Sequence, residues 1–126
     1  MTNAQILVVE DNEKNMRLFR DILTATGYRT LEATTGSHAV DLATEHVPDL
    51  VLMDIQLPDI DGVEVLGRLR ADDRTASLPI LALTAQAMEG DRERFLAAGF
   101  DGYLSKPVDV ANFVATVRRY CEPGER

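Results

Sequence analysis

Five side chains in this 126-residue chain could do chemistry together: Glu10, Asp11, Asp54, Thr84 and Lys106. Each stands at or just beyond the end of a short strand-like run. Ile6–Val9 leads into Glu10-Asp11, Leu50–Met53 into Asp54, Pro79–Leu83 into Thr84, and Asp101–Leu104 into Ser105-Lys106-Pro107. An unpaired carboxylate inside an apolar strand is prohibitively costly, so Asp54 must lie at a strand exit, in water or facing a cation. Three carboxylates brought together repel, and they are stable as anions only around a positive ion. Carboxylates with main-chain oxygen suit a hard ion such as Mg²⁺, with Mn²⁺ as a substitute. Neither His38 nor His46 follows such a run, which argues against a softer transition-metal site. A carboxylate beside Mg²⁺ can attack a phosphoryl group, as when aspartyl phosphate forms. Lys106 would then hold one phosphoryl oxygen as a point charge, and the Thr84 hydroxyl would donate to another. Pro107 restricts the backbone of Lys106 and helps to aim it.

These groups need elements to position them. Leu50–Met53 has the length and composition of a strand buried on both faces, and Pro58 with Asp61-Gly62 turns the chain away from it. Asp59 and Asp61 are assigned to that turn and not to metal. Met16, Phe19, Ile22 and Leu23 mark a first helix, closed by Gly27. Arg29–Ala33 alternates polar and apolar residues, which places a strand at a sheet edge. Ala39, Val40, Leu42 and Ala43 mark a second helix stopped before Pro48, and Val65, Leu66 and Leu69 a third. A polar connection over 72–77 follows. The fourth helix runs through Phe95 and Leu96 to Gly99; its start is weak, with Gly90 a poor helix residue and Asp91 the better N-cap. Val110, Phe113, Val114, Val117 and Cys121 form the apolar stripe of a fifth helix, with Cys121 as a small core filler. Strand and helix alternate five times, which implies α/β architecture with a parallel sheet covered on both faces. In such folds the site lies at the carboxyl ends of the strands, where all five reactive side chains fall.

The length suits one domain with a proper core. The chain reads as a domain over 1–122 and a short polar tail over 123–126, with no effector domain. A net charge of −8 argues against nucleic acid or an anionic membrane as partner. No apolar run reaches membrane-spanning length and the N-terminus does not resemble a signal peptide, so the cytoplasm is the expected compartment. A single cysteine fits a reducing environment.

Val9-Glu10-Asp11-Asn12, Leu52–Pro58, Leu83-Thr84-Ala85 and Leu104–Pro107 together resemble the motifs of a two-component response-regulator receiver domain. Val9–Glu13 with Asn15-Met16, and Met53–Pro58, are most similar to DivK-type single-domain regulators. The resemblance implies a flavodoxin-like, doubly wound sheet of five parallel strands in the order 2-1-3-4-5, flanked by five helices. It implies Asp54 as phosphoacceptor, and Asp11, Asp54 and the main-chain oxygen of Gln56 as Mg²⁺ ligands, with Glu10 acting through bound water. Thr84 and Lys106 would contact the phosphoryl group, and Tyr103 would be the aromatic whose rotamer follows Thr84. Gln56 and Gln86 stand where members tune phosphoryl lifetime. The chain would promote its own phosphorylation and dephosphorylation without being an enzyme in the ordinary sense. Its donor would be a sensor histidine kinase or histidine phosphotransfer protein. Its output would be a protein bound on the face of the fourth helix, fifth strand and fifth helix, in cell-cycle or cell-division control.

Other classes fit less well. An aspartate-nucleophile phosphatase would place a second Asp two residues after Asp54, where Gln56 cannot move a proton. A flavin-binding module would need a phosphate-cradling loop after the first strand, and Glu10-Asp11-Asn12-Glu13 would repel phosphate. A pseudo-receiver that is never phosphorylated would lack some of the reactive residues, and here every one is present.

Overall fold

In the computed structural model, which describes residues 4–85 and 91–121, five strands form one parallel sheet in the order β2-β1-β3-β4-β5. The strands are β1 (Gln5–Val9), β2 (Arg29–Ala33), β3 (Leu50–Asp54), β4 (Ile80–Thr84) and β5 (Gly102–Ser105). Between and after them run α1 (Glu13–Ala25), α2 (Gly36–His46), α3 (Gly62–Ala71), α4 (Asp91–Ala98) and α5 (Val110–Cys121). Every residue of β3 and β4 is buried, as a central parallel strand covered on both faces requires. The alternating β2 lies at one edge and the short β5 at the other.

Successive strand residues point to opposite faces, and this splits the core in two. Leu7, Val9, Val51, Met53, Ile80 and Ala82 face one layer, which α2, α3 and α4 cover. Ile6, Val8, Leu50, Leu52, Leu81 and Leu83 face the other, covered by α1 and α5. There Phe19 of α1 stacks on Phe113 of α5 with ring centroids 5.5 Å apart. The stripe on α5 is shorter than its periodicity suggests. Phe113 and Val117 are buried and Cys121 is half-buried, but Val110 is 52% exposed. Spacing identifies the inward face of a helix but not how far the sheet beneath it extends.

The helix ends follow local chemistry. Asn12, Thr35 and Asp61 each accept a hydrogen bond from the amide three residues on, so α1, α2 and α3 start with side-chain caps. Gly27, at φ +95°, turns the chain after α1 in a left-handed conformation that suits glycine. Val47 adopts φ +45° after α2, a strained choice for a β-branched residue, which the sequence did not signal. The start of the fourth helix around Gly90 lies outside the described residues, as does the tail from residue 122. In the connection after α3, Thr75 is wholly buried, its hydroxyl donating to Leu69 O. Arg70 donates to Leu78 O, Gly99 O and Asp101 Oδ2, which joins α3 to the loops flanking β4 and β5.

Candidate functional site

The parallel order brings the ends of β1, β3, β4 and β5 to one rim of the sheet. Backbone hydrogen bonds set their register there: Ile55 N donates to Leu83 O, Glu10 N to Ala33 O, and Lys106 N to Thr84 O at 2.8 Å. A cleft of about 490 Å³ opens at that rim, lined by Glu10, Asp11, Asp54, Gln56, Thr84 and Lys106 among others. All the reactive residues expected from the sequence therefore meet in one place.

Asp54 is 6% exposed, and both of its carboxylate oxygens are engaged. The Gln56 amide donates to Oδ1 at 3.0 Å, and Lys106 Nζ donates to Oδ2 at 3.0 Å. Glu10 is more deeply buried, at 1% exposure. Its Oε2 accepts from Asn12 N at 3.1 Å. Its Oε1 lies 2.7 Å from Lys106 Nζ as an ion pair, with no donor well directed at it. Burial pushes the Glu10 carboxyl up; Lys106 and the Asn12 amide pull it back, and the nearby Asp54 charge adds to the rise. For Lys106, burial alone would lower the ammonium, but Glu10 and Asp54 outweigh it and hold it above its ordinary value.

Carboxylate oxygens of Glu10, Asp11 and Asp54 lie within 4.8 Å of one another. Asp11 is exposed to the cleft, and the buried Glu10 Oε1 lacks a directed donor. A hard divalent cation with its own waters fits such a donor set, because a single ammonium faces two of the three carboxylates and the ion's waters could donate to Glu10 Oε1. His38 and His46 are exposed and away from this cluster. Asp59 and Asp61 stay out of it as well: Asp61 caps α3, and Asp59 binds the start of α2.

Thr84 ends β4 with 7% exposure, and Tyr103 sits half-buried on neighbouring β5. Its ring lies 6.0 Å from that of Phe95 in α4. Arg94 also lines the cleft, with its guanidinium 5.1 Å from the Phe95 ring centroid. Sequence reasoning passed over Arg94, because a basic residue on a polar helix face carries no signal of what lies opposite. Glycine at position 62 serves the same rim. A Cβ there would lie 2.8 Å from Asp54 O and 3.0 Å from Ile55 Cα, so the turn out of β3 packs directly on the backbone that carries Asp54.

The comparisons agree with this geometry. The family model for the response regulator receiver domain matches residues 6–118. The polar-differentiation response regulator DivK of Brucella anthropi is 50% identical over 115 residues, covering 91% of this chain and 94% of that protein. The Brucella ovis protein of that name is 49% identical over the same share. Among solved structures, the receiver domain of sensor histidine kinase PA1611 from Pseudomonas aeruginosa superposes with a TM-score of 0.87 at 38% identity, covering 95% of this chain and 98% of that one. That structure has a magnesium ion coordinated in its active site cleft. A putative response regulator from Chloroflexus aurantiacus gives 0.89 at 30% identity, over 95% of this chain and 98% of that one. With the family model spanning nearly the whole sheet and the acidic rim in place, the chain belongs to the response-regulator receiver domain family and takes its place in phosphorelay signalling.

Proposed function

We propose that Asp54 is the phosphoacceptor and that the surrounding rim residues promote its phosphorylation. A histidine kinase or histidine phosphotransfer protein is the donor. An Asp54 carboxylate oxygen attacks phosphorus, the bond from phosphorus to the donor's histidine nitrogen breaks, and the released imidazole takes up a proton. Lys106, already 3.0 Å from Asp54 Oδ2, holds a phosphoryl oxygen as a point charge. The Thr84 hydroxyl donates to another. Glu10, Asp11, Asp54 and the main-chain oxygen of Gln56 would hold Mg²⁺, or Mn²⁺ in its place, Glu10 through a water of the ion. When bound, the ion neutralises charge on the transferring oxygens. The same groups serve the hydrolysis that ends the signal.

The observation that carries this reading is the convergence of Asp54, Thr84, Lys106 and the acidic pair Glu10-Asp11 from four separate strand ends. Treatment with acetyl phosphate and Mg²⁺ should raise the intact mass by one phosphoryl unit, and Asp54→Asn should prevent the gain. Equal labelling of the Asn variant, or undiminished labelling in chelator, would sink it.

The response runs from Thr84 to Tyr103. A phosphoryl group adds about −1.5 to −2 charge at Asp54, which draws in Thr84 and Lys106 and lets Tyr103 turn inward. The output face is α4, β5 and α5, where a groove of about 460 Å³ is bordered by Leu96, Tyr103, Asn112, Arg119 and Tyr120. The net charge of −8 favours a protein partner there over nucleic acid. The naming of the Brucella relatives for polar differentiation supports a role in cell-cycle and division control; the cytoplasm is the compartment expected for it, from the absence of a signal-peptide pattern in the sequence. Amide exchange across residues 84–104 should differ between free and phosphoryl-mimic forms.

A further inference from the structure

We propose that Asp59 is a positioning residue for the Asp54 site, acting by tying the loop after β3 to the start of α2. The inference rests on the reading of Asp54 as phosphoacceptor. An exposed Asp in a turn ordinarily serves its own loop. Here the carboxylate reaches a different element: Oδ1 accepts from Gly36 N at 2.7 Å, and Oδ2 from Ser37 N at 3.0 Å and Ser37 Oγ at 2.8 Å. Those are the first two amides of α2, which no preceding turn satisfies. The positive end of the helix favours a carboxylate at that point. Thr35 caps the same helix through a different amide, that of His38 at 3.2 Å, so Asp59 completes what the local cap leaves open.

The loop lies on the helix as closely as a residue without a side chain allows. A Cβ at Gly36 would come 2.4 Å from Ile60 Cγ1 and 2.7 Å from Val65 Cγ2. At its base the loop is closed by Gly62 N donating to Ile55 O at 2.9 Å, and Gly62 packs on the carbonyl of Asp54. The segment from Ile55 to Gly62 is thus an arch standing on β3, with its crown fastened to α2 by Asp59. Gln56 is part of that arch, and its amide orients Asp54 at 3.0 Å. Releasing the crown leaves Gln56 free to shift, and with it the Asp54 carboxylate and the main-chain oxygen assigned to the cation. Outer groups that orient ligands act on metal affinity without touching the metal.

The test compares Asp59→Ala with Thr35→Ala, which removes a cap from the same helix turn without touching the arch. Mg²⁺ binding is followed by calorimetry, stability by thermal unfolding, and labelling by acetyl phosphate. Asp59→Ala should weaken Mg²⁺ binding about tenfold and slow labelling, while Thr35→Ala loses stability but keeps wild-type Mg²⁺ affinity. Ser37→Ala removes one of the three bonds and should give a smaller weakening, which keeps the test usable if Asp59→Ala does not fold. A Mg²⁺ dissociation constant for Asp59→Ala (or, if that variant does not fold, for Ser37→Ala) within about a factor of two of wild type overturns the proposal, as does equal weakening in Thr35→Ala. Failure of the wild type to gain a phosphoryl unit would instead overturn the Asp54 reading, and the Mg²⁺ titration would still judge Asp59.

Discussion

Lys106 Nζ lies 2.7 Å from Glu10 Oε1, and the two side chains are 15% and 1% exposed. The same nitrogen reaches Asp54, so one ammonium offsets two carboxylates that are largely out of water. Removing it leaves both uncompensated. Lys106→Met should destabilise the fold by about 3 kcal/mol in chelator, the cost of breaking a buried pair from one side. Added Mg²⁺ should raise the Tm of this variant more than that of wild type, because the ion replaces the missing charge. Thermal unfolding with and without Mg²⁺ checks both; equal Mg²⁺ shifts would contradict the shared role.

Gly62→Ala should cost about 1–3 kcal/mol, since the new methyl meets main-chain atoms that cannot rotate away. The atom it presses on is the carbonyl of Asp54, so labelling by acetyl phosphate should slow as well. An Ala variant as fast and as stable as wild type would show that the turn yields easily.

Phe19→Ala serves as the contrast. Its ring is buried against Phe113 on the layer under α1 and α5, and truncation should cost about 3–5 kcal/mol. The folded fraction should keep wild-type Mg²⁺ affinity, because the lesion lies beneath the sheet and not at its rim. Denaturant unfolding and Mg²⁺ calorimetry on one preparation separate the two effects.

Asp59 gives a pH signature. The Gly36 and Ser37 amides hold its carboxyl well below the ordinary 3.8. A carboxyl lowered in the fold adds stability that is fully present above the unfolded value and lost as pH falls toward the folded one. The stability deficit of Asp59→Asn should therefore be constant near neutrality and shrink as pH drops below about 4. A deficit unchanged from pH 7 into that acid range would contradict the assignment.

The fold was legible because its signals are local. Buried runs end on polar residues at β1, β3 and β4, and the alternation in Arg29–Ala33 marked an edge. The reactive set was legible for the same reason, since strand exits collect at one rim. Pairings across the molecule were not. Glu10 could be read as an acidic strand end, but its burial against Lys106 depends on β5 closing over the rim. Asp59 could be read as a turn residue, but its partners lie 22 and 23 residues earlier in α2. Val110 matched the α5 stripe by spacing and proved exposed, because periodicity carries no information about where the neighbouring sheet stops.

The scattering of the site over four strand ends bears on synthesis. A ribosome delivers Asp54 long before Lys106, which lies 52 residues further on. Until β5 docks beside β4, the acidic rim lacks the Lys106 ammonium, and Thr84 lacks its partner strand on the side away from β3. Contacts this distant in sequence form late, because loop closure must precede them. A nascent or partly unfolded chain therefore displays the proposed acceptor, Asp54, without the residues proposed to assist it. If Asp54 is the acceptor as proposed, competence to receive a signal arrives only when β5 docks, and a phosphorylated pool would be drawn from fully folded molecules.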